Sequence, residues 1–297
     1  LFKRKEIAMA QVSAAMVKEL REMTGAGMME CKKALVEADG DMDKAVDVLR
    51  TAGLASVAKK AGRATNEGAV VALVSDDAHA GALVELNCET DFVGMNEKFR
   101  AYAEKIAKAV LENAPADLDA LCASEIEGET VEAVVTDAIH TLGENIQLAR
   151  FAYSLQPEGA VASYVHGVGK IGVLVDFKLG DASFATSDAF KTYGRDIAMQ
   201  VAAASPVAAT REAVDPAVVA HEMEIYKAQA AESGKPENIQ EKIATGRLEK
   251  FYKENVLTEQ AYVKDPDKSV ADYTAEVAKE LGTTIEIVDF TRFVLGE

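Results

Sequence analysis

The sequence predicts an α+β protein, on three observations. Hydrophobic periodicity is helical up to about residue 53 and turns strand-like at Glu67. A pattern of two strands and a helix then recurs 91 residues later. Two amphipathic segments joined by a Gly/Pro turn follow the second copy. The expected architecture is a small three-helix module, then two pseudo-repeated α+β core subdomains, with an antiparallel helical hairpin inserted in the second.

Residues 1–8 carry Lys3, Arg4 and Lys5 but no apolar run and no small-residue cleavage site, so they read as an upstream extension without assigned function. Residues 9–53 form the first module. Met16, Val17, Leu20 and Met23 recur at helical spacing after Ser13, a plausible N-cap. Gly25 and Gly27 break that helix. Met28, Cys31, Leu35 and Ala38 mark a second helix, and Met42, Ala45, Val46 and Leu49 a third beginning near Asp41. Three short helices enclose only a small core, which suits a binding module better than an enzyme. Residues 54–66, with Lys59, Lys60 and Arg63, read as a polar linker.

Residues 67–150 and 151–297 are the two expected core subdomains. Residues 68–74 and 81–86 are β-rich runs separated by an Asp-containing turn, hence a hairpin. Phe99, Tyr102, Ile106 and Val110 then line one face of a helix. Positions 67–110 share thirteen identities with the segment 91 residues on, without a gap. Phe99, Tyr102 and Gly81 recur as Phe190, Tyr193 and Gly172, which chance in Ala/Val-rich sequence does not explain. After Pro206, Val219, Met223, Tyr226 and Ala230 form a heptad-like seam, and Ile239, Ile243, Leu248 and Phe251 answer it beyond a turn at 232–236. This hairpin is expected at about 214–253. Residues 269–281 read as helix, and 283–295 as a closing strand.

Composition narrows the function. Thirty-two Lys+Arg against 49 Asp+Glu leave a net charge of -17, which argues against a phosphate-backbone binder and for a protein partner. Cys31, Cys88 and Cys122 have no metal-type spacing, and an odd count suits a reducing, cytoplasmic setting. No run reaches the ~20 apolar residues of a membrane span. Neither metal nor cofactor is expected. Gly167-Val168-Gly169-Lys170 lacks the upstream glycine of a phosphate loop, and Ile171 replaces the magnesium-binding hydroxyl. Gly25-Ala26-Gly27 has Glu30 where a dinucleotide fingerprint needs glycine. His221-Glu222 lacks the second histidine of a zinc helix. Cys88 has no nearby histidine and reads as a small buried hydrophobe.

The two copies differ where function is expected. Between strand and helix the first has Asn87-Cys88-Glu89-Thr90-Asp91-Phe92-Val93, and the second Lys178-Leu179-Gly180-Asp181-Ala182-Ser183-Phe184. Phe92 either turns inward over the first sheet, with Asp91 capping the next helix, or stands outward as a partner's anchor. Burial is the commoner fate of a phenylalanine, but the second copy manages without this Asp-Phe pair. His166 occupies a turn where the first copy has Ser75, so packing does not demand it, though a solvated turn residue is the commoner reading.

Longer motifs add a resemblance. Residues 16–21 (Met-Val-Lys-Glu-Leu-Arg) with 24–35 (Thr-Gly-Ala-Gly-Met-Met-Glu-Cys-Lys-Lys-Ala-Leu) resemble the N-terminal signature of the elongation factor Ts family. Residues 85–93 resemble its second signature, and Leu142-Gly143-Glu144-Asn145-Ile146, His166-Gly167 and Arg292-Phe293-x-x-Gly296-Glu297 match in order. The resemblance runs from about residue 10 to the end.

It implies a guanine-nucleotide exchange factor, not an enzyme, acting on elongation factor Tu. It implies a UBA-like first module. Thr90, Asp91, Phe92 and Val93 would dislodge magnesium, with Phe92 entering an apolar crevice of the partner's G domain. Leu142, His166, Val17, Met28 and Met29 would make further G-domain contacts. The second core half would meet the partner's C-terminal β-domain, and the hairpin is a candidate for self-association. Longer family members add a C-terminal helical segment, whose contacts are not carried over to this sequence. Two rival classes are an RNA-binding factor, for which Lys59, Lys60 and Arg63 are the only small basic cluster, and a ubiquitin-type adaptor, which leaves the repeated core unexplained.

Overall fold

The computed structural model describes residues 12–24, 26, 28–232 and 234–297, apart from the side chains of 54–56, 58 and 59. The expected upstream extension at 1–8 and the two glycines of the first turn lie outside these residues. The chain is a mixed α+β structure of N-terminal helices followed by small antiparallel sheets.

Helices α1 (Ala14–Thr24), α2 (Met28–Glu37) and α3 (Met42–Lys60) enclose Leu20, Cys31, Leu35 and Ala45, all without solvent exposure. Asp41 caps α3 by accepting the Lys44 amide at 3.1 Å. The helix does not stop at 53 but runs through half of the expected linker. Docking explains the extension, because Val57 packs against the next core and Lys60 Nζ donates to the Ile139 carbonyl at 3.0 Å. Helix propensity and tertiary contact outweigh the polar composition there.

Strands β1 (Glu67–Val74) and β2 (Ala80–Cys88) form the expected hairpin. Helix α4 (Asp91–Gly94) is a single turn, and α5 (Glu97–Asn113) lies across the sheet. Helix α6 (Leu118–Ala123), the two-residue strands β3 (Glu125–Ile126) and β4 (Glu129–Thr130), and helix α7 (Val131–Leu142) lead to β5 (Ile146–Leu155). Strand β5 completes the sheet in the order β1-β2-β5. It carries the chain through residue 150, so the position expected to separate the subdomains falls within a strand.

Strands β6 (Gly159–His166) and β7 (Ile171–Leu179) form the second hairpin, and β10 (Ile285–Val294) gives the order β10-β7-β6. Helix α8 (Asp188–Ala204) covers this sheet. Each of β2, β7, α5 and α8 is displaced from its counterpart by 91 residues, end to end. Even the C-caps agree, with Ala114 at φ 43, ψ 56 and Ser205 at φ 45, ψ 56.

The period of two in a strand dictates the layering. Ala82, Val84, Leu86 and Cys88 face α5, and Val173, Val175, Phe177 and Leu179 face α8. From the opposite faces, Val70, Leu83, Val161 and Leu174 meet between the sheets, with Phe293 beside them. The layers therefore run helix, sheet, sheet, helix.

The hairpin comprises α9 (Pro216–Ala231) and α10 (Glu237–Asn255). The seam residues Val219, Met223 and Tyr226 are half-buried and Ala230 fully buried, matching the expected periodicity. At its base Arg211 lies 4.5 Å above the Tyr252 ring and pairs with both Glu249 and Glu259, fixing the hairpin to the body. Strands β8 (Ala261–Tyr262) and β9 (Asp265–Ser269) precede α11 (Val270–Leu281), which opens with a Ser269–Asp272 capping box.

Candidate functional site

The loop after β2 is built from backbone hydrogen bonds to carboxylates. Thr90, in extended conformation, caps α4, its hydroxyl accepting the Val93 amide at 3.4 Å. The cap is Thr90, not Asp91, which leaves Asp91 exposed. Gly94 is buried against β1, where a Cβ would come within 2.9 Å of the Gly68 carbonyl. Val93 packs on the first core. With positions 93 and 94 turned inward, the remaining face of the turn must point out. Phe92 is 81% exposed and Met95 56%. The inward reading of Phe92 is therefore overturned.

The equivalent segment of the second sheet sharpens the contrast. Asp181 caps a single 3-10 turn over Ala182–Thr186, 91 residues after Thr90. Ala185 is buried where Gly94 is, Phe184 is half-buried where Val93 is, and Ser183 stands where Phe92 projects. Only the first loop raises an aromatic ring into solvent.

Two turns hold the loop from below. Glu144 Oε2 accepts the amides of Glu89 and Thr90, each at 3.0 Å, and its Oε1 accepts the Thr90 hydroxyl at 2.6 Å. Glu89 in turn accepts the Asn145 amide at 2.7 Å and Arg63 Nη1 at 3.3 Å. The Asn145 amide, with Arg63 beside it, holds the Glu89 carboxyl below the usual carboxylate range. Asn145 Nδ2 also donates to the Arg63 carbonyl at 2.8 Å. Beneath the loop, the Cys88 thiol contacts the Thr90 carbonyl at 3.1 Å. Burial, reinforced by the Glu144 charge, pushes that thiol up to about 12, so it is a neutral packing group and no nucleophile.

Leu142 is half-buried on the first core, and its place in the site comes through Glu144 and Asn145, which follow it. His166 is exposed at the end of β6, 3.0 Å from the Tyr164 hydroxyl. The turn after it is no phosphate loop. Gly169 fits against Ala69, and its carbonyl accepts the Val70 amide at 2.8 Å. The His166 turn and the Phe92 loop thus flank the opening residues of β1, one at Gly68 and the other at Ala69 and Val70. Lys170 Nζ reaches Glu67 at 2.7 Å on the same edge.

The N-terminal candidates divide. Met28 and Met29 are 54% and 64% exposed, and Met23 joins them. Val17 is only 7% exposed and serves the three-helix core, so it offers a partner no surface. A cleft of about 590 Å³ separates this module from α7, lined by Met23, Val46, Leu49, Arg50, Thr136 and His140. Among the described residues no cluster of His, Cys, Asp or Glu has the makings of a metal site. No described helix is long and apolar enough to cross a membrane. Glu144 and Met95 are the site residues that sequence reasoning missed. The Gly-Glu-Asn motif beside Leu142 was the available signal for the first.

Comparison with known proteins gives this loop a context. The sequence model of the family described as elongation factor TS matches residues 89–297, from the base of the loop to the last residue. The chain is 49% identical over 289 residues to elongation factor Ts of Trichlorobacter lovleyi, covering 96% of this chain and 93% of the relative. It is 49% identical to the Desulfovibrio desulfuricans protein of that name, over 97% of this chain and 99% of the relative. The Clostridium botulinum protein is 47% identical over 96% and 93%. The chain belongs to the elongation factor Ts family. Elongation factor Ts proteins are non-catalytic factors of translation elongation, and this chain is accordingly not an enzyme.

Proposed function

We propose that the chain is the guanine-nucleotide exchange factor of elongation factor Tu, binding its GDP complex, dislodging magnesium and releasing GDP so that GTP rebinds. The observation that carries this reading is Phe92, an apolar ring 81% exposed on a turn whose backbone is tied down just before it, at Glu89 and Thr90. Exposed phenylalanine on a fixed loop is a hot-spot anchor in search of a pocket. Thr90, Asp91, Phe92 and Val93 form the displacing loop. Phe92 enters an apolar crevice of the partner's G domain, and Asp91 makes polar contacts beside it. His166, Met28 and Met29 extend the G-domain contact. Leu142 contributes mainly through its turn, and Val17 through the packing of α1. The second sheet and α8 lie toward the partner's C-terminal β-domain.

The energetics follow from linkage. A ligand shifts an equilibrium only by its difference in affinity for two states, so the factor must favour the nucleotide-free partner. GDP must then weaken its binding by the same factor. Magnesium is the largest charge compensating the diphosphate, and disturbing its ligands loosens the nucleotide. Burying Phe92 contributes about 1.5–3 kcal/mol to the distorted state. That corresponds to roughly 10–100-fold in affinity.

The 91-residue displacement of matched strands, helices and caps supports reading the two core halves as homologous repeats. In that reading residues 9–53 are a UBA-like module, 54–66 its connection, 67–150 and 151–297 the two core halves, and about 214–253 the inserted hairpin. The hairpin is a candidate surface for self-association, supported by its scant contact with the body beyond its base. No nucleic acid, membrane or cofactor enters this mechanism, which operates in the cytoplasm. The deciding experiment is release of labelled GDP from elongation factor Tu, expected to accelerate on addition of this chain. Unchanged release at stoichiometric concentration would overturn the reading.

A further inference from the structure

We infer that Glu144 is a positioning residue for Phe92, a clamp that sets the displacing loop in its binding conformation before the partner arrives. The inference rests on the reading of Phe92 as the anchor. Its own support is geometric. Three hydrogen bonds converge on one carboxylate from two consecutive residues, the amides of Glu89 and Thr90 at 3.0 Å and the Thr90 hydroxyl at 2.6 Å. Both amides come from the two residues between the end of β2 and the start of α4, where no ladder partner exists for them. A carboxylate offers two oxygens and no donor, which is the complement of three donors in one place. Hydrogen bonds to a carboxylate are stronger than those to a neutral acceptor.

The clamp acts through Thr90. Its hydroxyl donates to Glu144 and accepts from the Val93 amide, so the same oxygen that is gripped from below nucleates α4 above. The rotation of α4 decides which residue points out. Val93 and Gly94 face inward only while Thr90 stays at the cap, and Phe92 faces outward for the same reason. Without the carboxylate, the turn would lose its fixed cap, and the inward conformation expected for an unrestrained phenylalanine would compete. Binding would then have to order the loop as well as bury the ring. The hydrogen bonds of Glu144 go to Glu89 and Thr90, so its effect on Phe92 runs through the loop's conformation.

The second repeat is an internal contrast. Position 89 corresponds to Gly180, whose amide donates to the Thr284 carbonyl at 2.9 Å, and Asp181 caps its turn without a carboxylate below. The loop that projects no aromatic ring is held by a main-chain carbonyl. The loop that projects Phe92 is held by the side-chain oxygens of Glu144.

A double-mutant cycle on stimulated GDP release tests the clamp, using the full chain at concentrations below saturation. Glu144→Ala is expected to lower stimulation about 10-fold in the Phe92 background. In a Phe92→Ala background it should cost much less, because only the lesser contacts of the loop are left to position. Amide exchange at Glu89 and Thr90 should accelerate in Glu144→Ala while thermal unfolding of the core stays in place. Glu144→Gln keeps one oxygen for the two amides and should restore most of the activity. An equal loss in both backgrounds would mark a merely structural residue and overturn the clamp, as would no loss in either. If Phe92→Ala alone is fully active, the reading of the anchor fails. If it is impaired while Glu144→Ala is not, the clamp alone fails. Should Glu144→Ala not fold, Glu144→Asp, with the same charge and shorter reach, runs in the same cycle and is judged by the same outcomes.

Discussion

Val70 occupies the space that a side chain on Gly172 would need. A Cβ at Gly172 would lie 2.4 Å from Val70 Cγ1 and 2.8 Å from Leu83 Cδ1. The arrangement is reciprocal, since a Cβ at Gly81 would lie 2.5 Å from Val161 Cγ1 and 3.2 Å from Leu174 Cδ2. Residues 70, 81 and 83 correspond to 161, 172 and 174, so each sheet offers the other the same knob and the same hole. The four core-facing side chains between the sheets can close only because both glycines are bare.

Gly172→Ala is therefore expected to destabilise by overpacking, by about 1–3 kcal/mol. Gly81→Ala should cost a similar amount. Pairing Gly172→Ala with Val70→Ala should recover part of the loss, because the second change vacates the contested volume. Urea unfolding of the two single variants and the pair checks this.

Phe92 and Phe184 should behave as opposites. Phe92→Ala is expected to unfold at the wild-type temperature and to slow stimulated GDP release by roughly 10–100-fold. Phe184→Ala removes a half-buried ring from the 3-10 turn after β7 and should lower stability by about 1–2 kcal/mol while leaving exchange nearly intact. Thermal unfolding and GDP release, measured on both variants, separate the roles.

Thiol chemistry should follow burial. Cys31 and Cys88 are buried and Cys122 is partly open. Burial holds the Cys122 thiol above its ordinary value, with Glu132 and Asp119 adding to it, so even this residue should react slowly. Native protein at pH 8 is expected to label first at Cys122, with Cys31 and Cys88 following only on unfolding. Mass mapping of an alkylation time course shows the order.

Asp176 gives stability an unusual pH dependence. Burial holds its carboxyl above the usual range, against the opposing hydrogen bonds of Ser154 and Gln156. A carboxyl whose folded value exceeds its unfolded value costs stability when ionised, fully so above the folded value. That cost fades as pH falls through the folded value toward the unfolded one, near pH 4. Asp176→Asn keeps an acceptor for Ser154 and is expected to raise the unfolding temperature at pH 7–8. The gain should vanish at about pH 4, near that unfolded value, which thermal melts across the range would show.

Sequence alone determined the types of the repeated strands and helices. The period of three to four at Phe99, Tyr102 and Ile106, and the β-rich run from Gly81 to Leu86, are local properties that a short segment carries by itself. The 91-residue repeat was equally legible, and through it the difference between Phe92 and Ser183 that marks the loop. Tertiary structure decided the rest. That β5 crosses residue 150 depends on pairing with β2, and that α3 outruns its module depends on a carbonyl at Ile139. The loop that carries Phe92 is tied at Thr90 to Glu144, 54 residues further along the chain, and the seating of the sheets depends on Val70 and Gly172. Such contacts join segments distant in the chain, where no periodicity connects them, and they exist only after the layers have closed.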